Sequence, residues 1–157
     1  VATLATAFDM QVVYHSSKQA DTPWHFVELD TLFAKADIIS LHIPLTPKTT
    51  SIIDEVALQK MQPHTLIVNT ARGGIIDQEA LTQALLNNQI GGYATDVLAK
   101  QPPAPNDPLI GLPNVLITPH AASLTVKTYS EICMRSVQNM LTLLRGEEID
   151  SHFIFNR

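Results

Sequence analysis

Four short apolar runs limit what this chain can become: "DIISLHIP" (37–44), "TLIVNT" (65–70), "GGYATDV" (91–97) and "NVLITPH" (114–120). Helically spaced segments, "DEVALQKM" and "DQEALTQALLNN", separate the first three, and a proline-rich loop, "QPPAPNDPLIGLP", separates the last two. Runs this short read as strands, and they stand too far apart to close as tight hairpins. Strands joined by helical crossovers lie parallel, and a parallel sheet calls for helices over both faces. The predicted fold class is α/β, a doubly wound parallel sheet. Upstream, "MQVVYHS" (10–16) has the β-branched and aromatic character of a further strand, and "LDTLFAKA" has the helical spacing of Leu29, Leu32 and Phe33. "VATLATAF" at the start reads as the tail of a helix.

The helix ends carry local signals. Asp54 opens one helix and Asp77 is the expected N-cap of the next; Glu79 adds charge to its first turn, although Ala80 stands where a capping box would place Glu or Gln. The long segment "TVKTYSEICMRSVQNMLTLLRG" ends on Gly146, a C-terminal cap. Within it, Cys133 is expected at a buried helix position rather than as a catalytic thiol. A single cysteine allows no internal disulfide and no cysteine metal cluster, which fits a reducing, cytoplasmic setting. The net charge of -5, without a basic cluster, argues against nucleic acid and anionic membranes as partners. No run reaches the length of a membrane span, and no signal-peptide pattern is present. A small molecule is the expected partner.

A dinucleotide-binding sheet carries Gly-x-Gly-x-x-Gly between its first strand and first helix, because the pyrophosphate lies on that helix N-terminus. Neither the strand nor the motif stands in these 157 residues, so the reading is of an N-terminally truncated sheet whose missing part would precede Val1. In a parallel sheet the carboxyl ends of the strands share one edge, where ligands bind. Three runs end there on polar groups: Arg72 after "LIVNTA", Asp96 closing "YATD", and His120 after "ITP". An arginine recognises a carboxylate through two parallel N–H bonds, and a histidine moves a proton to or from an oxygen at neutral pH. Together they suggest a 2-oxo or 2-hydroxy acid. Each also has a plainer reading: Arg72 as a loop cation paired with a local acid, His120 as a capped loop histidine, Asp96 as a helix or loop cap. His42 ends a strand on the same edge, while His15, His25, His64 and His152 read as surface or packing residues.

"DIISLHIPLTPKTTSIID", "LIVNTARGGIIDQEAL", "GGYATDV" and "NVLITPHAA" together resemble the nucleotide-binding domain of the D-isomer-specific 2-hydroxyacid dehydrogenases, in that family's order and over nearly the whole chain. The resemblance implies a Rossmann-like fold. Residues 1–123 would form an incomplete NAD(P)-binding domain lacking its first strand and glycine-rich loop, and 124–157 a C-terminal helix and tail crossing back toward an absent substrate domain. It implies an oxidoreductase that moves a hydride between a nicotinamide cofactor and C2 of a small 2-hydroxy or 2-oxo acid. "DVLAKQPPAPNDPL" is similar to the glycerate, hydroxypyruvate and glyoxylate branch. By position, Arg72 matches the arginine that holds the substrate carboxylate and carbonyl, His120 the acid/base, and Asp96 the acceptor for the nicotinamide carboxamide. His42, Ile43, Pro44, Thr70, Ala71 and Ala122 match cofactor-lining segments, and Gly73 and Gly74 would let the backbone pass close to the nicotinamide ring. Family members are commonly dimers through this domain, so a homodimer is expected of the complete protein.

Two departures from the pattern matter. The family's D-V-x-x-x-E-P glutamate, which pairs with the catalytic histidine, is replaced in "DVLAKQP" by Gln101. A neutral amide can orient an imidazole yet gives little support to its cationic form, which predicts reduction that weakens toward alkaline pH. The carboxylate that NAD users place after the second strand is also absent: "YHSSKQ" offers His15, Ser16, Ser17 and Lys18. Removing the acid relieves repulsion of a 2′-phosphate, which favours NADP over NAD. The alternative is an ordinary exposed turn, with discrimination residing elsewhere. Two rival functions stand beside the enzyme: a non-catalytic dinucleotide-binding sensor or corepressor-like relative, and a fragment without activity of its own.

Overall fold

The computed structural model describes residues 1–121, 124–151 and 154. The chain forms two compact units, Val1–Pro119 and His120–Arg157. The first opens with α1 (Ala2–Ala7), followed by β1 (Val13–Tyr14) and β2 (His25–Phe26), which pair parallel as a small sheet of their own. Then come α2 (Leu29–Lys35), β3 (Ile38–Leu41), α3 (Glu55–Gln59), β4 (Leu66–Asn69), a single 3-10 turn (Gly73–Ile75), α4 (Gln78–Leu86), β5 (Gly92–Thr95) and β6 (Val115–Ile117). The last four strands make one parallel sheet in the order β3-β4-β5-β6. Its register sets Leu41 beside Asn69 and Asn69 beside Thr95, and Thr95 beside Ile117, so the strands finish in line along one edge.

Alternation along the strands decides the core. Ile39, Leu41, Ile67 and Tyr93 turn inward and pack with Phe33 of α2, Ala57 and Leu58 of α3, and Leu81, Ala84 and Leu85 of α4. Burying each of these larger apolar side chains is worth about 1.5–3 kcal/mol. The alternate residues Ile38, Leu66 and Leu116 stay exposed, so α2, α3 and α4 lie over one face of this sheet. The handedness of the crossovers explains this. Right-handed connections that step across the sheet in one direction, as β3 to β4 to β5 do, all lay their helices on the same side.

The helix signals act as expected. Asp54 accepts from Ala57 N–H at the start of α3, and Asp77 accepts from Glu79 N–H and Ala80 N–H at the start of α4. The second unit is dominated by α5 (Val126–Leu144), capped by the Thr125 hydroxyl, which accepts from Thr128 N–H. It ends in a Schellman motif: Gly146 sits at φ 72°, its N–H donates to Leu143, and Glu147 N–H donates to Thr142. Cys133 lies on this helix but is exposed, against the expectation of burial, because α5 buries none of its residues. An apolar stripe on a helix is buried only where a packed neighbour meets it. The strand β2 is likewise absent from the sequence reading, since two residues give no alternation to detect.

Candidate functional site

The turn after β4 is built around a buried amide. Asn69 is fully buried; its Oδ1 accepts from Ala71 N–H at 3.0 Å, and its Nδ2 donates to the Arg72 carbonyl at 3.0 Å and toward Tyr93 Oη at 3.4 Å. Arg72 is held in extended backbone, with its side chain exposed and Nη1 donating to the Ala71 carbonyl at 2.6 Å. Immediately beyond it, a Cβ on Gly73 would fall 2.1 Å from the Leu98 carbonyl carbon and 2.3 Å from Ala99 N. No side chain fits there. The close approach on the side-chain side of Gly73 is to the backbone that follows β5. Gly74 faces the Leu45 methyl groups instead, at 3.2 Å. These two contacts bring the segments after β3, β4 and β5 together.

The end of β5 carries the second group. The Thr95 hydroxyl has one proton to donate and two carbonyl oxygens at 2.7 Å, those of Asn69 and Val97, while accepting from Val97 N–H at 2.9 Å. It thereby ties β5 to the Asn69 peptide. Asp96 follows, half-buried, and its Oδ1 is shut off from solvent with no donor among the described residues. A buried carboxylate oxygen without a donor is costly, so this atom is suited to an amide N–H brought by a ligand. The fit favours a carboxamide-bearing cofactor. Burial raises the pKa of Tyr93 above its usual 10.0, and the nearby Asp96 charge raises it further; hydrogen bonds with Thr95 and Asn69 act in the opposite direction.

The remaining candidates are distributed along the chain. Gln101 is exposed in the proline-rich loop and donates from Nε2 to the Leu98 carbonyl at 3.2 Å. The far end of that loop is fastened by Asp107, nearly buried, which accepts from Leu109 N–H and from Gln78 Nε2 at the start of α4. His42, exposed after β3, has Nε2 2.8 Å from Ser40 Oγ, and Ile43 and Pro44 follow it. Thr70 and Ala71 belong to the Asn69 turn. His15, Ser16, Ser17 and Lys18 follow β1, on the separate small sheet: His15 Nδ1 is 3.0 Å from the Val27 carbonyl, its ring leans on Phe26, and Ser16 Oγ donates to the Lys18 carbonyl. His120 is exposed and begins the second unit, three residues after β6 ends. Ala122 and His152 lie outside the described residues. His64 pairs with Asp37 at 2.7 Å on the surface, and His25 is part of β2.

The structure thus brings Arg72 and Asp96 onto touching segments. The sequence reading passes over Asn69, Tyr93 and Thr95, which hold those segments. The available signal was a polar residue closing each of two otherwise apolar strands, "LIVN" and "GYAT", at positions that the register buries. Among the described residues, no group of three His, Cys, Asp or Glu is placed to hold a metal ion, and no helix is long and apolar enough to cross a membrane.

Known proteins give this arrangement a context. The family profile described as "D-isomer specific 2-hydroxyacid dehydrogenase, NAD binding domain" matches residues 1–122. The chain is 36% identical over 151 residues to the glyoxylate reductase of Thermofilum pendens, an alignment that covers 90% of this chain and 44% of that protein. It is 38% identical over 144 residues to the hydroxypyruvate reductase of Thermotoga maritima, covering 89% and 47%. Among solved structures, the TT0316 protein of Thermus thermophilus superposes with a TM-score of 0.89 at 39% identity, over 94% of this chain and 47% of that one. The acyclic imino acid reductase Bsp5, in complex with NADPH and D-Arg, gives 0.84 at 34% identity, over 94% and 48%. The chain spans about half the length of the relatives it matches.

Proposed function

We infer, for a chain that belongs to the D-isomer specific 2-hydroxyacid dehydrogenase family, that it is the coenzyme-binding part of an oxidoreductase acting on a small D-2-hydroxy or 2-oxo acid. The observation that carries this reading is that touching segments carry Arg72, exposed after β4, and an Asp96 oxygen closed off from solvent that finds no donor among the described residues. Glyoxylate, hydroxypyruvate and glycerate are the substrates of choice, on the strength of the relatives' names and the proline-rich loop. Residues 1–123 are the coenzyme domain in this proposal, and 124–157 the return toward a substrate domain.

A bound nicotinamide dinucleotide supplies the hydride that reaches C2. Asp96 would accept the carboxamide N–H and so help to hold the nicotinamide. The Arg72 guanidinium takes the substrate carboxylate through two N–H bonds, which orients the adjacent carbonyl. His120 gives its proton to that carbonyl oxygen during reduction and recovers it during oxidation. His42, Ile43, Pro44, Thr70, Ala71 and Ala122 line the cofactor. Gln101 can orient the imidazole by a hydrogen bond but cannot stabilise its charged form as a carboxylate would, so reduction by the wild type weakens at alkaline pH. Gln101→Glu is expected to carry the alkaline limb of the rate profile to higher pH; an unchanged limb removes Gln101 from the mechanism.

NADP is the preferred cofactor, because His15, Ser16, Ser17 and Lys18 offer hydroxyls and a cation where an NAD user presents a carboxylate. The complete protein acts as a cytoplasmic homodimer in this reading. The replacement at Gln101 also supports a second one, a dinucleotide-binding relative without turnover. The two separate in one assay, NADPH and NADH oxidation with hydroxypyruvate and glyoxylate by the complete gene product. Turnover with either acid establishes the enzyme, whereas cofactor binding without turnover selects the sensor.

A further inference from the structure

We propose that Asn69 is a positioning residue for Arg72, fixing the turn that presents the guanidinium by hydrogen bonds that a primary amide side chain is suited to make. The proposal rests on the reading of Arg72 as the carboxylate anchor. Asn69 closes a strand whose preceding residue on the same face, Ile67, is apolar, and it is fully buried, a place where a polar side chain is costly unless its bonds are satisfied. All of its bonds go to one purpose. The carbonyl end takes Ala71 N–H and the amino end gives to the Arg72 carbonyl, so a single side chain clamps the backbone on either side of the peptide joining those two residues.

The same Arg72 carbonyl accepts from Ile75 N–H at 3.3 Å, which starts the 3-10 turn, so the clamp also sets where that turn begins. The second amino proton is directed at Tyr93 Oη, and the Asn69 carbonyl lies 2.7 Å from the Thr95 hydroxyl. The clamp is thereby anchored to β5, the strand that delivers Asp96. An aspartate at 69 keeps the acceptor but loses both donated bonds; a serine is too short to reach both backbone groups; alanine loses all three. Rigid support matters here because a displacement of about 1 Å at a substrate-orienting group can cost on the order of 100-fold in rate.

The test combines 15N relaxation and amide exchange with kinetics, all on the complete gene product. In Asn69→Ala, the amides of 70–73 are expected to lose order and to exchange at least tenfold faster, while those of Ile67 and Val68 keep wild-type values. With hydroxypyruvate, kcat/KM is expected to fall about 10- to 100-fold. Adding Arg72→Ala to Asn69→Ala should cost little beyond Arg72→Ala alone, because one residue acts through the other. Amides of 70–73 that stay as ordered as in wild type overturn the proposal, as do losses that simply multiply in the double variant. Where Asn69→Ala does not fold, Asn69→Ser, too short to reach both backbone groups, carries the same expectations. If the turn loosens as stated while Arg72→Ala leaves turnover intact, the positioning of Arg72 stands and its reading as carboxylate anchor fails.

Discussion

The carboxyl ends of β4 and β1 are held by different means. After β4, the chain is held by the buried Asn69 amide, by Thr95 across the strand pair, and by a glycine pressed against the backbone of Leu98 and Ala99. After β1, residues 15–18 hang from a two-residue strand, fastened by one histidine contact to Val27 and one short-range serine bond. The contrast teaches where precision is needed. Orienting a carboxylate and a reacting carbonyl demands fixed geometry, whereas attraction of a 2′-phosphate to a lysine tolerates a flexible side chain because it is a point-charge interaction.

The comparison can be broken most severely at Arg72. Arg72→Ala is expected to lower kcat/KM for the 2-oxo acid by about 100-fold or more, through loss of charge-assisted bonds, with the melting temperature unchanged. Steady-state kinetics beside thermal unfolding checks both halves. Gly73→Ala should strike stability instead: its methyl group meets backbone that cannot step aside, so unfolding free energy falls by about 1–3 kcal/mol, read by urea titration. At the loose end, Lys18→Ala should leave stability unaltered and reduce the NADPH-over-NADH preference by about tenfold, measured as a ratio of kcat/KM values. A loss of stability there would show that the two strand ends are not built differently.

The smallest effect concerns pH. The folded state keeps the Tyr93 proton to higher pH than the unfolded chain does, because burial raises its pKa above 10.0. Its contribution to stability is complete below pH 10 and is lost as pH rises from there through the raised folded value. Tyr93→Phe should flatten that alkaline decline in a pH series of unfolding midpoints.

Much of this organisation is legible in the sequence because it is local. Apolar runs of strand length, the Asp54 and Asp77 caps and the Gly146 terminus depend on neighbours within a turn or two, and each stands as read. Arg72 and Asp96 are legible because strand ends in a parallel sheet share an edge. Asn69 is not, since its value comes from the register with Thr95 and the reach of Tyr93, facts that exist only after the strands pair. The contact at Gly73 is hidden for the same reason: sequence shows that a side chain is missing but not what occupies its place. Cys133 is misread because helical periodicity names the stripe to be buried and says nothing of a partner to bury it.

The one-way winding of β3, β4, β5 and β6 also bears on how the sheet assembles in time. Each strand pairs with the one made just before it, one crossover earlier in the chain, so no pairing in this sheet waits for a distant segment. Each closure spans one crossover, which costs less chain entropy than pairing with a more distant strand. A ribosome releasing this stretch delivers the strands in the order in which the sheet uses them, and the edge bearing Arg72 and Asp96 is framed once β5 has docked.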